Sequence, residues 1–175
     1  MQEVILVNGQ DEQTGVMEKM EAHQKGLLHR AFSIFIFNNR GEMLLQQRAS
    51  SKYHSPDLWT NACCSHPQPG ESTELAAFRR LREELGFETK LFEIFSFTYR
   101  AVFDNGLTEH EFDHVLIGTY NGQVFPNADE VKDYCFMKPE KIKESLSSHP
   151  HKYTEWFKIA FPKLEEYLAV EDINT

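Results

Sequence analysis

A thiol and an imidazole lie two residues apart in segment 59–70, which reads WTNACCSHPQPG. In an extended chain, side chains two residues apart point to the same side. We therefore expect Cys64 and His66 to face one pocket and Cys63 to face the other way. Two prolines and a glycine end the segment and exclude a helix at its exit. The residues alone leave three interpretations of Cys64 open: a buried apolar thiol, which composition favours, a metal ligand, and a catalytic acid or base.

Histidines and glutamates elsewhere in the chain supply candidate ligands for a metal ion. Three imidazoles and two carboxylates, completed by water, could form a five- or six-coordinate site for a divalent ion. The candidates are His23, His29, His66, Glu109 and Glu111. A two-residue spacing on a strand puts Glu109 and Glu111 on one face, which lets both reach one ion. We interpret the remaining histidines as structural or surface residues: His54, His110, His114, His149 and His151.

Cationic side chains that could hold an anionic group flank the same segment. The candidates are Lys19, Arg48, Lys52, Arg79 and Arg80. The alternative is a solvated surface whose arginines form ion pairs along a helix. Arg80 and Glu84 have the four-residue spacing that such a pair needs.

Composition excludes some classes of protein. The chain has 175 residues and a formal net charge of -9. This acidic balance disfavours general nucleic-acid binding, which needs basic surface, but local cations could still hold a small anionic substrate. No apolar run approaches membrane-spanning length, and no signal peptide is visible. The three cysteines are an odd number, so free thiols in a reducing cytoplasm are the simplest interpretation.

The elements that must position these residues follow from hydrophobic periodicity. Strands are predicted at 4–7, 30–37, 43–47, 92–103, 109–120 and 129–137, and helices at 72–85, 139–146 and about 156–168, the last bent or restarted at Pro162. His23 and His29 can meet only if Gly26 turns the chain, because residues six apart do not stack on one helix face. We expect a single mixed α/β domain over residues 1–170, followed by a disordered tail at 171–175.

Segment 70–87, which reads GESTELAAFRRLREELGF, resembles the loop-helix box of Nudix proteins. In that family, the helix carboxylates bind a divalent ion that contacts a diphosphate. Two positions depart from the family's pattern. Ser65 stands where the box usually begins with glycine, and Arg80 stands where hydrolases usually carry a glutamate ligand. The second departure weakens the case for pyrophosphate hydrolysis.

The chain from Leu6 to about Trp156 resembles another branch of that fold, the type 1 isopentenyl-diphosphate isomerases. The segments that carry this resemblance are Glu18-Lys19 before His23, Leu28 to Ser33, Gln47 to Lys52, Trp59-Thr60-Asn61, Cys64 to Pro67, Tyr99-Arg100-Ala101, Glu109-His110-Glu111 and Trp156. The resemblance implies a Nudix-like mixed β-sheet sandwich flanked by helices. It also implies isopentenyl and dimethylallyl diphosphate as ligands of a monomer or homodimer, with neither nucleic acid nor membrane as a partner.

The resemblance further implies which residues bind ions and diphosphate. One zinc, manganese or magnesium ion would be held by His23, His29, His66, Glu109 and Glu111. Glu84 would help to hold a second ion, magnesium, against the diphosphate. The diphosphate would be neutralised by Lys19, Arg48, Lys52 and Arg79 or Arg80.

The proton chemistry implied by the resemblance involves four side chains. Cys64 and Glu111 would lie on opposite faces of the allyl unit, and Tyr99 would assist Glu111. Moving a double bond requires one proton to be added and another removed, and protonation of an unactivated alkene creates a tertiary carbocation. Trp156 would shield this cation, because an aromatic face stabilises positive charge in a dry pocket.

Two other functions are compatible with the same residues. A Nudix diphosphate hydrolase would use Glu83 and Glu84 for a metal-activated water. A non-enzymatic metal-binding or partner-binding domain would use the histidine and glutamate cluster as a structural site. We rank the isomerase first, the hydrolase second and the non-enzymatic domain third, and Cys64 with the pair of Glu109 and Glu111 separates the isomerase from the hydrolase.

Overall fold

The computed structural model describes residues 1–174. In chain order, its elements are β1 (Glu3–Val7), β2 (Gln13–Glu18), α1 (Lys19–Lys25), β3 (His29–Phe37), β4 (Met43–Arg48), β5 (Trp59–Thr60), β6 (Cys63–Ser65), α2 (Thr73–Leu85), β7 (Leu91–Val102), β8 (Thr108–Thr119), β9 (Val131–Met137), α3 (Pro139–Ser148), a 3-10 turn (Pro150–Lys152) and α4 (Glu155–Asn174). The order confirms the predicted α/β class. None of the helices within these residues has the length and apolar character needed to cross a membrane.

Strand β3 is central to the sheet because it pairs along both of its edges. One edge runs parallel to β8, with His29 opposite Glu111 and Phe37 opposite Thr119. The other edge meets three antiparallel partners in succession: β1 at His29, β6 at residues 32–34 and β4 at Phe37. Beyond these, β7 pairs with β8, β2 pairs with β1, and β4 lies between β9 and β5. A strand paired and covered in this way is expected to be apolar on both faces, as the sequence predicts for 30–37.

Alternate residues of β3 face two different apolar clusters. Phe32 and Ile34 pack with Leu81 of α2. Phe35 packs with Phe157 of α4, with 6.5 Å between the ring centroids. Burial of each such side chain contributes about 1.5–3 kcal/mol to folding, so the two helices are held to opposite faces of the same strand.

The same alternation decides where the polar side chains lie. His29 and Ser33 share the parity of Phe35 on β3, and Glu111 and Asp113 share one face of β8. Ser33 Oγ donates to Asp113 Oδ2 at 2.7 Å, and His29 Nε2 lies 3.5 Å from Glu111 Oε1. These polar residues therefore lie on the same face of the sheet as α4. They occupy one end of the strands, and α4 covers the other end.

Helix α2 begins and ends close to where the sequence predicts. The Ser72 side chain accepts a hydrogen bond from the backbone N–H of Leu75, and Gly86 caps the other end in the left-handed conformation with φ 71°. A hydroxyl at the N-cap and a glycine after the last turn are the usual signals of helix ends. The predicted turn at Gly26 is also confirmed, with φ 63° directly after α1.

The end of α4 corrects two expectations. The helix neither restarts at Pro162 nor ends before residue 171, but continues from Glu155 to Asn174. Pro162 removes one backbone donor, and the buried Phe161 and Leu164 on either side keep the turn packed. No glycine or proline follows Pro162 in the sequence, so the helix has no stop signal. Thr175 lies outside the described residues.

Replacement of Gly86 by alanine is expected to destabilise the fold more than an equivalent change elsewhere. A Cβ atom at Gly86 would lie 2.7 Å from the carbonyl oxygen of Phe125, in addition to the strain of a positive φ. We expect Gly86→Ala to lower the free energy of unfolding by about 2 kcal/mol or more in urea denaturation. Gly41 is the matched control, because its φ is 69° but a Cβ there would meet no atom within 4 Å. Equal losses in the two variants would contradict this explanation.

Candidate active site

A cavity of about 120 Å³ lies where α1, β6, β8 and the first turn of α4 meet. Most of the residues singled out from the sequence line it: Lys19, Arg48, Lys52, Cys64, His66, Arg80, Glu84, Tyr99, Glu109, Glu111 and Trp156. His23 and His29 are fully buried beside it. Their rings lie 5.8 Å and 5.0 Å from the ring of His66. Arg79 is the predicted residue that lies elsewhere.

His23 and His29 present the nitrogens that a metal ion would need. The Nδ1 atom of His23 lies 2.6 Å from the Lys19 carbonyl oxygen, and that of His29 lies 2.8 Å from the Leu27 carbonyl oxygen. A carbonyl only accepts, so Nδ1 carries the hydrogen and Nε2 keeps a lone pair. Both Nε2 atoms are buried and lack a hydrogen-bond partner. This is the arrangement found for metal-binding histidines, whose other nitrogen is held by a backbone carbonyl.

Glu111 supplies the carboxylate that faces these imidazoles. Its Oε1 lies 2.9 Å from His66 Nε2 and 3.5 Å from His29 Nε2. One potential ligand atom from each of His23, His29, His66 and Glu111 lies within 4.8 Å of the other three. The four residues therefore fit a divalent metal ion.

Tyr99 joins the two glutamates of β8. Its hydroxyl lies 2.7 Å from Glu111 Oε2 and 2.9 Å from Glu109 Oε2. Burial, together with the neighbouring carboxylates, raises the pKa of Tyr99 well above its usual value, so the side chain is a neutral phenol. A phenol has one hydrogen and can donate to only one carboxylate at a time. The hydroxyl is therefore placed to pass a hydrogen between the two.

His54 is a site residue that the sequence interpretation missed. It is buried rather than at the surface, and its Nε2 lies 3.1 Å from Glu109 Oε1. Its ring stacks on Phe103 with 4.9 Å between the centroids. One potential ligand atom from each of His23, His54 and Glu109 also lies within 4.8 Å of the other two. Glu109 therefore belongs to a second group, with His23 and His54, and not to the group that contains His29, His66 and Glu111.

Burial sets the protonation of the imidazoles. It lowers the pKa of His66 to about 3 and also lowers the pKa of His23, so both are neutral near pH 7. Burial acts in the same direction on His29, but the negative charge of Glu111, whose Oε1 lies 3.5 Å away, outweighs it and raises the pKa. Burial alone would raise the pKa of Glu111, yet its contacts with His29 and His66 hold it well below the usual range. Neutral imidazole and ionised carboxylate are the forms that bind metals.

A group of cations lines another part of the cavity: Lys19, Arg48, Lys52 and Arg80. Burial and the nearby charge of Lys52 lower the pKa of Lys19 to about 8, which indicates that this positive charge lacks a sufficient anionic partner. Arg80 Nε is buried without a hydrogen-bond partner. We call these four side chains the cation group, and they are arranged to receive an anion.

The structure separates the two neighbouring arginines of α2. Arg79 donates to both oxygens of Glu71 at 2.8 Å and 2.9 Å, outside the cavity. Arg80 lines the cavity and donates to Glu83 Oε2 at 2.6 Å and to Glu84 Oε1 at 2.7 Å. Consecutive residues on a helix point in directions about 100° apart, so only one of them can face the cavity.

Cys64 and its neighbour point in opposite directions, as the strand alternation predicts. Cys63 is buried in the cluster on the α2 side, whereas Cys64 lines the cavity. Burial, together with the charge of Asp113, raises the pKa of Cys64, so the side chain is a thiol near pH 7. The cavity therefore contains a thiol and a carboxylate that can exchange protons with one bound molecule.

Aromatic side chains close the cavity on the side of α4. Trp156 is 3% exposed, and the guanidinium carbon of Arg48 lies 5.1 Å from the centroid of its ring. Tyr53 also lines the cavity but is 38% exposed, and Lys19 Nζ lies 5.0 Å from the centroid of its ring. Aromatic faces near cations show that this wall tolerates positive charge.

Comparisons with known proteins agree with this geometry. The family profile of the NUDIX domain matches residues 27–157. The isopentenyl-diphosphate Delta-isomerase of Pectobacterium atrosepticum is 49% identical over 165 residues, which cover 94% of this chain and 92% of that protein. Isopentenyl-diphosphate Delta-isomerase 2 of Photorhabdus laumondii is 47% identical over 171 residues, covering 98% of this chain and 94% of that protein.

Solved structures share the fold at low sequence identity. DR0079 from Deinococcus radiodurans has a TM-score of 0.78 at 18% identity, covering 93% of this chain and 98% of that chain. A MutT protein from Methanosarcina mazei has a TM-score of 0.66 at 18% identity, covering 79% of this chain and 94% of that chain. These structures show the fold alone. The NUDIX profile and the sequence relatives show that the chain belongs to the Nudix superfamily and, within it, to the isopentenyl-diphosphate Delta-isomerase family.

Proposed function

We propose that this protein interconverts isopentenyl diphosphate and dimethylallyl diphosphate. The observation that carries the proposal is one cavity that holds a thiol, Cys64, a carboxylate, Glu111, and a group of cations. The names of relatives that are 47–49% identical over most of the chain support the same substrate pair. Both substrates combine an anionic diphosphate, which suits the cation group, with a short apolar chain, which suits the aromatic rings of Trp156 and Tyr53.

The reaction needs two proton transfers at carbon and no net change in composition. A proton adds to the terminal methylene of isopentenyl diphosphate and leaves a tertiary cation at the adjacent carbon. Loss of a proton from the carbon next to this cation, on the diphosphate side, forms the new double bond. Cys64 and Glu111 are the two groups that give and take these protons, and they exchange roles in the reverse direction. Tyr99 assists Glu111 through its hydrogen bond of 2.7 Å.

His23, His29, His66 and Glu111 would hold a zinc, manganese or magnesium ion, while Glu109 lies in a second group of potential ligands with His23 and His54. When bound, such an ion polarises the Glu111 carboxyl and so alters its proton affinity. The chain itself fixes the orientation of the carboxyl through His66 and Tyr99. A group held from both oxygens can transfer a proton without first losing rotational freedom.

The diphosphate is bound by the cation group, with magnesium and Glu84 beside it. Glu84 is buried, and its oxygens accept from Arg80 and from Gln46 Nε2 at 2.8 Å. Lys52 forms an ion pair with Glu130 in the free protein. We expect diphosphate to replace part of this pairing, because phosphate oxygens accept stronger charge-assisted hydrogen bonds from Arg and Lys.

The aromatic wall protects the cation from water. Trp156 and Tyr53 bring polarisable rings close to the cavity, and both are held by packing or by contact with Lys19 and Arg48. A ring face stabilises positive charge, and exclusion of water prevents its capture as an alcohol. The unpaired thiols of Cys63, Cys64 and Cys135 support a reducing compartment such as the cytoplasm for this chemistry.

Hydrolysis of the diphosphate is less well supported. Glu83 and Glu84 would have to activate a water through a metal ion, but both accept from Arg80 at 2.6 Å and 2.7 Å. Arg80 also stands where hydrolases usually carry a glutamate ligand, so a metal ion at this helix would have one carboxylate fewer with which to activate a water. The helix is therefore better suited to bind a diphosphate than to cleave it.

Proton NMR in deuterated water, with isopentenyl diphosphate and magnesium, tests the proposal directly. We expect dimethylallyl diphosphate to accumulate and to carry deuterium from the solvent, because each turnover passes a proton through exchangeable side chains. Release of phosphate without movement of the double bond would favour a hydrolase instead.

Removal of either proton-transfer group should stop turnover. We expect Cys64→Ala and Glu111→Gln each to lower kcat by at least about 10²-fold, the usual contribution of a positioned acid or base. Cys63→Ala is the matched control, since Cys63 is a thiol on the opposite face of β6. The NMR assay measures kcat, and thermal unfolding checks that the variants fold. A wild-type rate in both Cys64→Ala and Glu111→Gln would remove these residues from the chemistry.

The two arginines of α2 should differ in their effect on substrate binding. Arg80→Gln is expected to raise KM for isopentenyl diphosphate by about 10- to 100-fold, because a charge-assisted hydrogen bond contributes about 1.5–3 kcal/mol. Arg79→Gln should leave KM within about twofold and affect only the surface pairing with Glu71, worth at most about 1 kcal/mol. A larger rise in KM for Arg79→Gln than for Arg80→Gln would contradict the assignment of Arg80 to the cation group.

The metal content of the protein should depend on His29 but not on His114, which lies on the face of β8 opposite Glu111. His29→Gln removes a buried nitrogen without a partner, whereas His114→Gln changes a side chain that pairs with Asp11 and Glu93. We expect His29→Gln to contain less metal by elemental analysis and to show a smaller fall in Tm on addition of a chelator. Equal metal content in both variants and the wild type would argue against His29 as a ligand.

A further inference from the structure

The sulfur of Cys64 lies against two oxygen atoms from neighbouring strands and loops. Asn61 Oδ1 is 3.1 Å from Cys64 Sγ, and Ser33 Oγ is 3.4 Å from it. Ser33 and Cys64 are direct cross-strand partners in β3 and β6. Both Ser33 and Asn61 are at most 2% exposed. The metal ligands and the cation group account for neither of these residues.

The orientation of the Asn61 amide is fixed by its own hydrogen bonds. Nδ2 donates to the carbonyl oxygens of Ile34 and Cys63, at 2.9 Å and 3.1 Å. Both of these atoms only accept, so the nitrogen must face them and Oδ1 must face the sulfur. The Thr60 hydroxyl donates to the same Oδ1 at 2.9 Å. An acceptor is thereby held in a fixed position beside the thiol.

Asp113 fixes the orientation of the Ser33 hydroxyl. Ser33 Oγ donates to Asp113 Oδ2 at 2.7 Å, and a hydroxyl has only one hydrogen. Burial raises the pKa of Asp113 well above its usual range, but an oxygen of a neutral carboxyl still accepts. With its hydrogen on Asp113 Oδ2, Ser33 turns lone pairs towards Cys64. Asp113 is 1% exposed, and its Oδ1 has no hydrogen-bond partner. A buried carboxyl with so few contacts costs stability, which calls for a compensating role.

Asn61 Oδ1 and Ser33 Oγ are therefore both acceptors, and the thiol hydrogen can be donated to either of them. This matters because carbon atoms of an alkene neither give nor accept ordinary hydrogen bonds. A substrate of this kind cannot orient the thiol, so the protein must do it before the proton moves. A misplacement of about 1 Å at this step can cost a factor of about 10² in rate.

We propose that Asn61 and the Ser33–Asp113 pair are positioning residues that hold the Cys64 thiol in the orientation from which it exchanges a proton with a substrate carbon. The kinetic part of this inference rests on the proposed function. The orientation of the thiol hydrogen does not, because it can be measured without substrate.

The same hydrogen bonds connect the thiol to α4. Thr60 Oγ1 accepts from Thr154 Oγ1 at 3.2 Å, and Thr154 Oγ1 accepts from the backbone N–H of Phe157 at 3.3 Å. Trp156 lies between these two residues in sequence. The position of the thiol and the position of the aromatic wall are thus linked through one chain of hydrogen bonds.

Infrared spectroscopy of the S–H stretch tests the orientation directly, since this band lies where few other protein groups absorb. The difference between the wild type and Cys64→Ala identifies the band of Cys64. The single thiol hydrogen is divided between Asn61 Oδ1 and Ser33 Oγ, so we expect the wild-type band to have one component for each acceptor. Ser33→Ala should remove one component and so shift the band, while the bands of Cys63 and Cys135 stay in place. An unchanged Cys64 band would overturn the proposal, whatever the enzyme's activity.

Kinetics provide the second measurement. Ser33→Ala is expected to lower kcat by about 10- to 100-fold and to leave KM within twofold, because Ser33 does not contact the cation group. Ser33→Thr keeps the hydroxyl and should restore most of kcat. A fall in kcat that Ser33→Thr does not reverse, with Tm and metal content unchanged, would contradict a role for the hydroxyl.

A double variant separates orientation from stability. Ser33→Ala leaves Asp113 as a buried carboxyl without any partner, and this variant could unfold for that reason alone. Ser33→Ala with Asp113→Val removes both polar partners together, which is often nearly neutral for stability. We expect the double variant to fold, to show the same infrared shift and to have the same low kcat. A double variant with the wild-type band or the wild-type kcat would overturn the proposal.

Discussion

The parallel pairing of β3 with β8 is the interaction on which the site depends. It places His29 directly opposite Glu111, while the other edge of β3 pairs with β6 and sets Ser33 beside Cys64. A shift of one residue in either pairing would turn every side chain of that strand to the opposite face. The thiol, the carboxylate and the imidazoles are then correctly placed only in a single register. The apolar residues of β3 enforce this register, because they must alternate between α2 and α4.

The site contains more buried polar groups than the rest of the interior. His23, His29, Glu109, Glu111 and Asp113 are each at most 6% exposed. Isolated burial of such groups is unfavourable, and several of their atoms lack a protein partner. Two apolar clusters on either side of β3 offset this cost. Strands β3 and β8 thus combine a stable half that determines the fold with a polar half that carries the chemistry.

Much of this arrangement could be predicted from short-range patterns. The alternation of strands places Glu109, Glu111 and Asp113 on one face and separates Cys63 from Cys64. Helix signals at Ser72 and Gly86 define α2 to within one residue. These features are set by residues that are close together in the chain, so the sequence alone is enough to predict them.

Other features depend on packing between distant segments. His54 lies in the loop between β4 and β5, where no periodicity indicates which side chains are buried, so its contact with Glu109 could not be anticipated. The sequence also could not decide between Arg79 and Arg80, since both are compatible with one helix face until the neighbours of α2 are known. The helix α4 also continues past the predicted start of the tail at residue 171, because no glycine or proline after Pro162 ends it.

Arg80 has a wider consequence for the fold. Where a Nudix hydrolase usually has an anionic side chain, this helix has a guanidinium that forms ion pairs with two carboxylates of the same helix. Replacing one negative charge by one positive charge changes the local charge by two units. Under the proposed function, a helix surface of this charge favours the binding of a diphosphate over the activation of a water. The phosphoanhydride then stays intact, and the scaffold is free to act on the carbon chain.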